Sequence, residues 1–178
     1  MRPEWHARQE VLHILAALMP PNRLALEVSL ATGLRIGDVL SIRTEQLSTP
    51  DGRLTVKEQK TGKTHRVRLP VDLLHRCRMT AGRYYVFEGR LSALKPRTRQ
   101  AVWKDLTRVC RMMRLRAHLT PHSMRRIYAV QAYERTGGNL ARVRKLLNHS
   151  DDAVTLLYVM AGEQLLRHRP QDASGDGL

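Results

Sequence analysis

The chain is poor in aromatic residues and in acidic ones, and both shortages narrow its possible functions. Phe, Trp and Tyr make up 4% of the 178 residues, too few for the aromatic platforms on which single-strand binders stack successive bases. Asp and Glu number 16 against 31 Lys and Arg, which gives a formal net charge of +15. This excess favours a polyanionic partner through counterion release and electrostatic steering. Duplex DNA fits both observations best.

Long apolar runs and clustered cysteines are also missing. No run of about 18 apolar residues occurs, as a membrane-spanning helix would need, and no signal-peptide or lipidation pattern opens the chain. We therefore expect no membrane partner, and a cytoplasmic, nucleoid-associated protein. Cys77 and Cys110 stand far apart, so they are interpreted as small buried hydrophobes rather than as a disulfide or a zinc site.

The length and the apolar spacing predict one mainly helical α+β domain. A chain of 178 residues can bury one sizeable core, and we assign it to residues 1–168, followed by a disordered polar tail at 169–178. Two alternating segments around Gly62, residues 54–58 and 64–69, predict a small antiparallel hairpin, and residues 84–87 a brief extended piece. Helices are predicted over 1–19, 24–31, 71–79 and 98–114, with further helices beginning after Thr120 and after Asn139.

The segment from His122 to Tyr158 carries the clearest chemical pattern. His122 and Arg125 lie three apart at the start of a predicted helix, so both side chains share one face and can reach one phosphate. His149 precedes Tyr158 by nine residues, and the phenol of a tyrosine can act as a nucleophile. Upstream, Arg35 at a helix start and Lys60 in the hairpin loop supply further cations. The pattern indicates attack on a phosphodiester.

This ordered set, namely Arg35, Lys60, His122, Arg125, His149 and Tyr158, resembles the active-site signature of tyrosine recombinases, the phage-integrase family, over residues 22–165. The resemblance implies an integrase-type, DNA breaking-rejoining catalytic domain that cleaves and rejoins duplex DNA at specific sites through a 3′-phosphotyrosyl bond. It also implies that dimers to tetramers assemble on DNA and that neither a metal nor another cofactor is needed.

The resemblance implies a role for each residue of the set. Tyr158 would attack the phosphorus, and Lys60 would give a proton to the departing 5′ oxygen, with Lys63 as its rival at the same hairpin. Arg35 and Arg125 would bind the phosphate oxygens, while both histidines would contact the phosphate or assist proton transfer. Asp38, which matches an acidic position of the family, would orient one of these groups.

The chain departs from the family pattern in two places. Asn148 stands where the family usually has Gly before the His, and Val159-Met160 replaces the polar pair that commonly follows the Tyr. Neither departure removes a catalytic atom. Asn also tolerates a left-handed backbone better than most residues do.

The candidates for contacts to the DNA backbone are further cations, namely Lys63, Arg108, Arg111, Arg126, Arg142, Arg144 and Lys145.

Two other interpretations stay open at this point, and a metal site is set aside. A type IB topoisomerase uses similar residues to nick and rejoin a strand, and a basic DNA-binding regulator that does not catalyse would also carry this charge. His118 and His122 are four residues apart, but Pro121 between them starts a helix, so they do not share a face for a metal ion.

Overall fold

The computed structural model describes residues 8–114, 119–148, 155–157 and 159–160. The labelled helices are α1 (Arg8–Ala16), α2 (Pro20–Thr32), α3 (Ile36–Leu40), α4 (Val71–Thr80), α5 (Arg99–Met112), α6 (Pro121–Arg135) and α7 (Leu140–Leu147). A 3₁₀ helix covers Thr44–Ser48, and the two strands are β1 (Arg53–Lys57) and β2 (Thr64–Arg68). Residues 155–157 and 159–160 are also helical. The predicted tail, 169–178, lies outside the described residues.

Side-chain caps set the beginnings of the later helices, as the sequence predicted. The hydroxyl of Thr98 accepts a hydrogen bond from the N–H of Ala101 at 3.1 Å and opens α5. Asn139 likewise accepts from the N–H of Arg142 at 3.0 Å at the start of α7. Such caps satisfy amide donors that have no partner within the helix. Helix α2 begins at Pro20, earlier than predicted, because proline suits the first helical turn.

The predicted hairpin is confirmed, and its loop presents Lys60. Strands β1 and β2 pair in antiparallel register from Arg53 opposite Arg68 to Lys57 opposite Thr64. Leu54 and Val56 point into the core. The extended piece predicted at 84–87 is confirmed only around Tyr85, which forms an isolated antiparallel bridge with Arg43, and residues 86–87 form a turn.

The core is built around α2, which packs against α1, α3, α4, α5 and α6. Leu26, Val28 and Leu34 are fully buried at its centre. A smaller apolar cluster joins α6 to α7 through Tyr128, Ala129, Ala132, Val143 and Leu147. None of the described helices is long and apolar enough to cross a bilayer.

Gly33 closes α2 and lets three helices meet. Its φ of 73° is left-handed, and its N–H bonds to the carbonyl of Ser29. A Cβ at this position would lie 2.5 Å from the Tyr128 ring and 3.2 Å from a methyl group of Leu147. The absence of a side chain therefore allows the end of α2 to touch both α6 and α7.

We predict that Gly33→Ala lowers the free energy of unfolding by about 2 to 5 kcal/mol, since it adds both left-handed strain and overpacking. Gly62→Ala is the matched control, because Gly62 has a φ of 69° but nothing within 4 Å of a Cβ. Its loss should be only about 1 to 2 kcal/mol. Urea unfolding of both variants measures the difference, and equal losses would contradict the packing role of Gly33.

Candidate active site

One cleft of about 950 Å³ gathers four of the six residues predicted to be catalytic, and Asp38 with them. Arg35 comes from the start of α3, Lys60 from the hairpin loop, and His122 and Arg125 from the first turns of α6. His149 and Tyr158 lie outside the described residues. The fold thus brings together side chains that are up to 90 positions apart in sequence.

The cleft wall also includes the beginning of α5, which sequence reasoning did not assign to the site. Thr98, Arg99, Gln100 and Trp103 line it. The amino-terminal ends of α5 and α6 both border the cleft, and such ends carry partial positive charge and amide donors. The sequence predicted that a helix begins after Thr98. Nothing in the sequence indicated that the beginnings of α5 and α6 border the same cleft.

Arg125 is buried and fixed to the main chain, although it lines the cleft. Only 1% of the residue is exposed. Its Nη1 donates to the carbonyl oxygen of Gly33 at 2.5 Å and its Nη2 to that of Leu147 at 2.6 Å. Both carbonyls belong to the ends of helices, where carbonyl groups lack an intrahelical partner. The guanidinium therefore holds the ends of α2 and α7 against α6.

Arg35 is held by a carboxylate that sequence reasoning missed. Its Nη1 donates to Oε2 of Glu58 at 2.8 Å, and its side chain is 25% exposed while that of Glu58 is fully buried. Burial acts to raise the pKa of Glu58, but hydrogen bonds from Thr61 and Asn148 and the charge of Arg35 outweigh it and bring the pKa below its ordinary value. Glu58 is therefore an anion at neutral pH. The only feature of the sequence that indicated a role for Glu58 was its position two residues before Lys60.

Asp38 fixes the chain next to Lys60. Its Oδ1 accepts the N–H of Gln59 at 2.9 Å, while Lys60 itself is exposed to solvent in the hairpin loop. Burial raises the pKa of Asp38, and the negative charge of Glu58 adds to that effect. Among the described residues, Oδ2 of Asp38 is buried without a hydrogen-bond partner. Asp38 thus orients the backbone that leads into Lys60.

His122 is surrounded by positive charge. Desolvation against the cleft wall, followed by the charges of Arg126, Arg125, Arg35 and Lys60, lowers its pKa to about 4. The residue is nevertheless exposed to solvent, so water screens part of this effect. At neutral pH the imidazole is neutral, and it can accept a proton or donate a hydrogen bond.

The seven cations predicted to contact the DNA backbone are all described, and none of them lines the cleft. Arg126 lies close enough to His122 to affect its pKa, and Lys63 is exposed in the hairpin loop beside Lys60. Arg108 forms an ion pair with Asp105 at 2.7 Å on α5. The remaining four are Arg111, which is exposed near the end of α5, and Arg142, Arg144 and Lys145 on α7.

The sequence and the fold both match known recombinases. The family model described as "Phage integrase family" matches residues 4–164, and the chain belongs to that family. It is 30% identical over 159 residues to the tyrosine recombinase XerD of Lacticaseibacillus casei, a match that covers 82% of this chain and 52% of that protein. The chain spans about half the length of the curated relatives it matches.

Two solved structures share the fold. The crystal structure of XerA recombinase superposes with a TM-score of 0.73 at 18% identity, over 96% of this chain and 67% of that one. A lambda integrase tetramer bound to a Holliday junction superposes with a TM-score of 0.73 at 22% identity, over 97% of this chain and 51% of that one. The predicted integrase-type α+β fold is thereby confirmed.

We predict that His122 titrates well below the ordinary histidine value of about 6.5, and that Arg126→Gln raises its pKa by removing a neighbouring charge. Arg111→Gln is the control, because it makes the same change in net charge near the far end of α5. Proton–carbon NMR of the imidazole across a pH series measures all three midpoints. A wild-type midpoint near 6.5, or equal shifts in both variants, would refute the influence of the cleft charges.

Proposed function

We propose that this chain provides the catalytic domain, over residues 1–168, of a site-specific recombinase that cleaves and rejoins duplex DNA through a 3′-phosphotyrosyl intermediate. The observation that carries the proposal is the cleft in which Arg35, Lys60, His122 and Arg125 meet. Membership of the phage integrase family supports it, as does the net charge of +15.

The proposed reaction exchanges one phosphoester bond for another. The Tyr158 oxygen attacks the scissile phosphorus, a bond from that oxygen to phosphorus forms, and the bond to the 5′ oxygen breaks. The phenol loses a proton and the leaving oxygen gains one, so no net protons are consumed. A free 5′ hydroxyl of the same or another strand reverses the step. Because one phosphoester replaces another, the reaction calls for no energy-supplying cofactor.

Each cleft residue has a role in the proposed reaction that follows from the chemistry of its side chain. The planar guanidinium of Arg35 offers paired donors to the non-bridging oxygens, and buried Arg125 adds positive charge beneath them. Lys60, exposed in the hairpin loop, gives its proton to the departing 5′ oxygen. Neutral His122 donates a hydrogen bond to the phosphate or accepts the phenol proton, and His149 shares that task.

Several copies of the chain would act together on paired DNA sites. The lambda integrase that shares this fold was solved as a tetramer on a Holliday junction, which supports assembly of dimers to tetramers on duplex DNA here. The exposed cations Lys63, Arg142 and Lys145 would contact the DNA backbone, which fixes register without reading sequence. Binding to DNA through these cations would place the protein at the nucleoid.

We predict that protein expressed in cells with its own genomic neighbourhood, and recovered under denaturing conditions, carries covalently attached DNA from a discrete site. Tyr158→Phe should abolish the attachment because the nucleophilic oxygen is gone. Tyr133→Phe, which removes another phenol, is the matched control and should carry DNA as the wild type does. Sequencing of the attached DNA reads out both the chemistry and the target.

Arg35→Lys tests the guanidinium separately. It keeps the positive charge but loses the planar donor pair, and we expect the yield of attached DNA to fall about 100- to 1,000-fold, as when one electrostatic stabiliser of a transition state is removed. DNA attached throughout the genome without a discrete site would favour topoisomerase-like nicking. No attached DNA in any form, with intact binding to duplex DNA, would favour a regulator that does not catalyse.

A further inference from the structure

The carboxylate of Glu58 contacts side chains from several of the elements around the cleft. Its Oε2 accepts hydrogen bonds from Nη1 of Arg35 at 2.8 Å and from the hydroxyl of Thr61 at 2.7 Å. Its Oε1 accepts from Nδ2 of Asn148 at 3.1 Å and lies 3.3 Å from Nδ1 of His65. The side chain is completely buried, so water does not compete for these contacts.

The same residue also fixes the hairpin loop through its main chain. The N–H of Glu58 donates to the carbonyl of Lys63 at 2.9 Å, and its carbonyl accepts from the N–H of Gly62 at 2.8 Å. With the bond from Thr61, three contacts surround the exposed Lys60. The loop that carries the proposed proton donor is therefore tied to the group that holds Arg35.

The bond from Asn148 extends this network to the end of α7. Asn148 ends α7 in a left-handed conformation, with φ of 53° and ψ of 36°. A glycine would adopt that conformation more readily, but it would have no side chain to donate to Glu58. The preceding residue, Leu147, is fixed by Arg125. Two successive residues are thus anchored immediately before His149.

A role in folding alone does not require a charged group at this position. A buried ionic cluster can often be replaced by well-packed apolar side chains without loss of stability. The three groups that donate side-chain hydrogen bonds to Glu58 come from separate parts of the fold, and each is, or adjoins, a residue of the proposed reaction. Glu58 engages Nη1 of Arg35, which orients the guanidinium plane so that its other edge can face a phosphate.

We propose that Glu58 is a positioning residue for DNA strand cleavage, which holds Arg35, the Lys60 loop and the end of α7 at Asn148 in one arrangement. This inference rests on the proposed function. It predicts that Glu58 and Asn148 act as a unit, although they are separated by 90 positions.

The first test is spectroscopic and needs no DNA. In the full chain, the Nε–Hε NMR signal of Arg35 should report a guanidinium with restricted rotation, and Glu58→Gln should increase that rotation, because the charged half of the pair is lost. Glu58→Asp retains the charge and should restore part of the restriction. Glu27→Gln is the matched control. Like Glu58, Glu27 pairs with arginine side chains, but its partners, Arg23 and Arg76, do not line the cleft.

The second test measures the yield of covalently attached DNA in cells. Glu58→Gln should lower it by up to about 100-fold, the effect of a misplaced reacting group, while affinity for a duplex of random sequence stays unchanged. Asn148→Gly should lower the yield in the same direction, and the double variant should be no worse than Glu58→Gln alone. Independent effects that multiply in the double variant would overturn the pairing.

The two proposals fail in different ways. If wild-type protein carries no DNA but Glu58→Gln loosens Arg35, the positioning role is supported and recombination is not. If wild-type protein carries DNA and Glu58→Gln changes neither the rotation of Arg35 nor the yield, the positioning role is wrong. Should Glu58→Gln not fold, Asn148→Gly alone decides, because it removes one donor from Glu58 and leaves the carboxylate in place.

Discussion

The buried guanidinium of Arg125 is the contact on which the arrangement of the cleft depends. It joins the carbonyl that ends α2, at Gly33, to the carbonyl that ends α7, at Leu147. Hydrogen bonds to a charged donor contribute about 1.5 to 3 kcal/mol each, and removing the donor would leave two buried carbonyls unsatisfied. Because Gly33 lies two residues before Arg35 and α6 carries His122, this one side chain holds the segment that leads into Arg35 against the helix that carries His122.

The cleft combines this rigid centre with an excess of positive charge. Arg35, Lys60, Arg99 and Arg125 line it, and within the described part of the chain Asp38 is the only residue with a carboxylate that does so. A second carboxylate, Glu58, lies behind Arg35 and compensates part of the charge where solvent is excluded. Burial, followed by repulsion from the neighbouring cations, lowers the pKa of His122. A phosphate diester supplies the missing negative charge, so the site is electrostatically complementary to the proposed substrate.

Local patterns predicted the elements well, because caps and turns act within a few residues. Thr98 and Asn139 accept the amide bonds that open α5 and α7, and the loop around Gly62 joins the two strands. The set of cleft cations was also recognisable, since residue type and order are visible in one chain. Glu58, Asn148 and Arg99 were missed as site residues because their importance comes from partners far away in sequence, as in the bond between Glu58 and Asn148. The extended piece predicted at 84–87 is shorter than expected, because the chain turns at residues 86–87 after the single bridge between Tyr85 and Arg43.

The proposed mechanism requires that Tyr158 become bonded to DNA at a phosphate that the cleft cations bind. Mass spectrometry of the DNA-linked protein, after digestion with nuclease and trypsin, tests this most directly. The tryptic peptide that covers residues 146–167 contains Tyr158 as its only tyrosine. We predict that this peptide carries a nucleotide joined through its 3′ phosphate to the phenol oxygen. A nucleotide on any other residue, or a 5′ linkage, would refute the proposed attack by Tyr158.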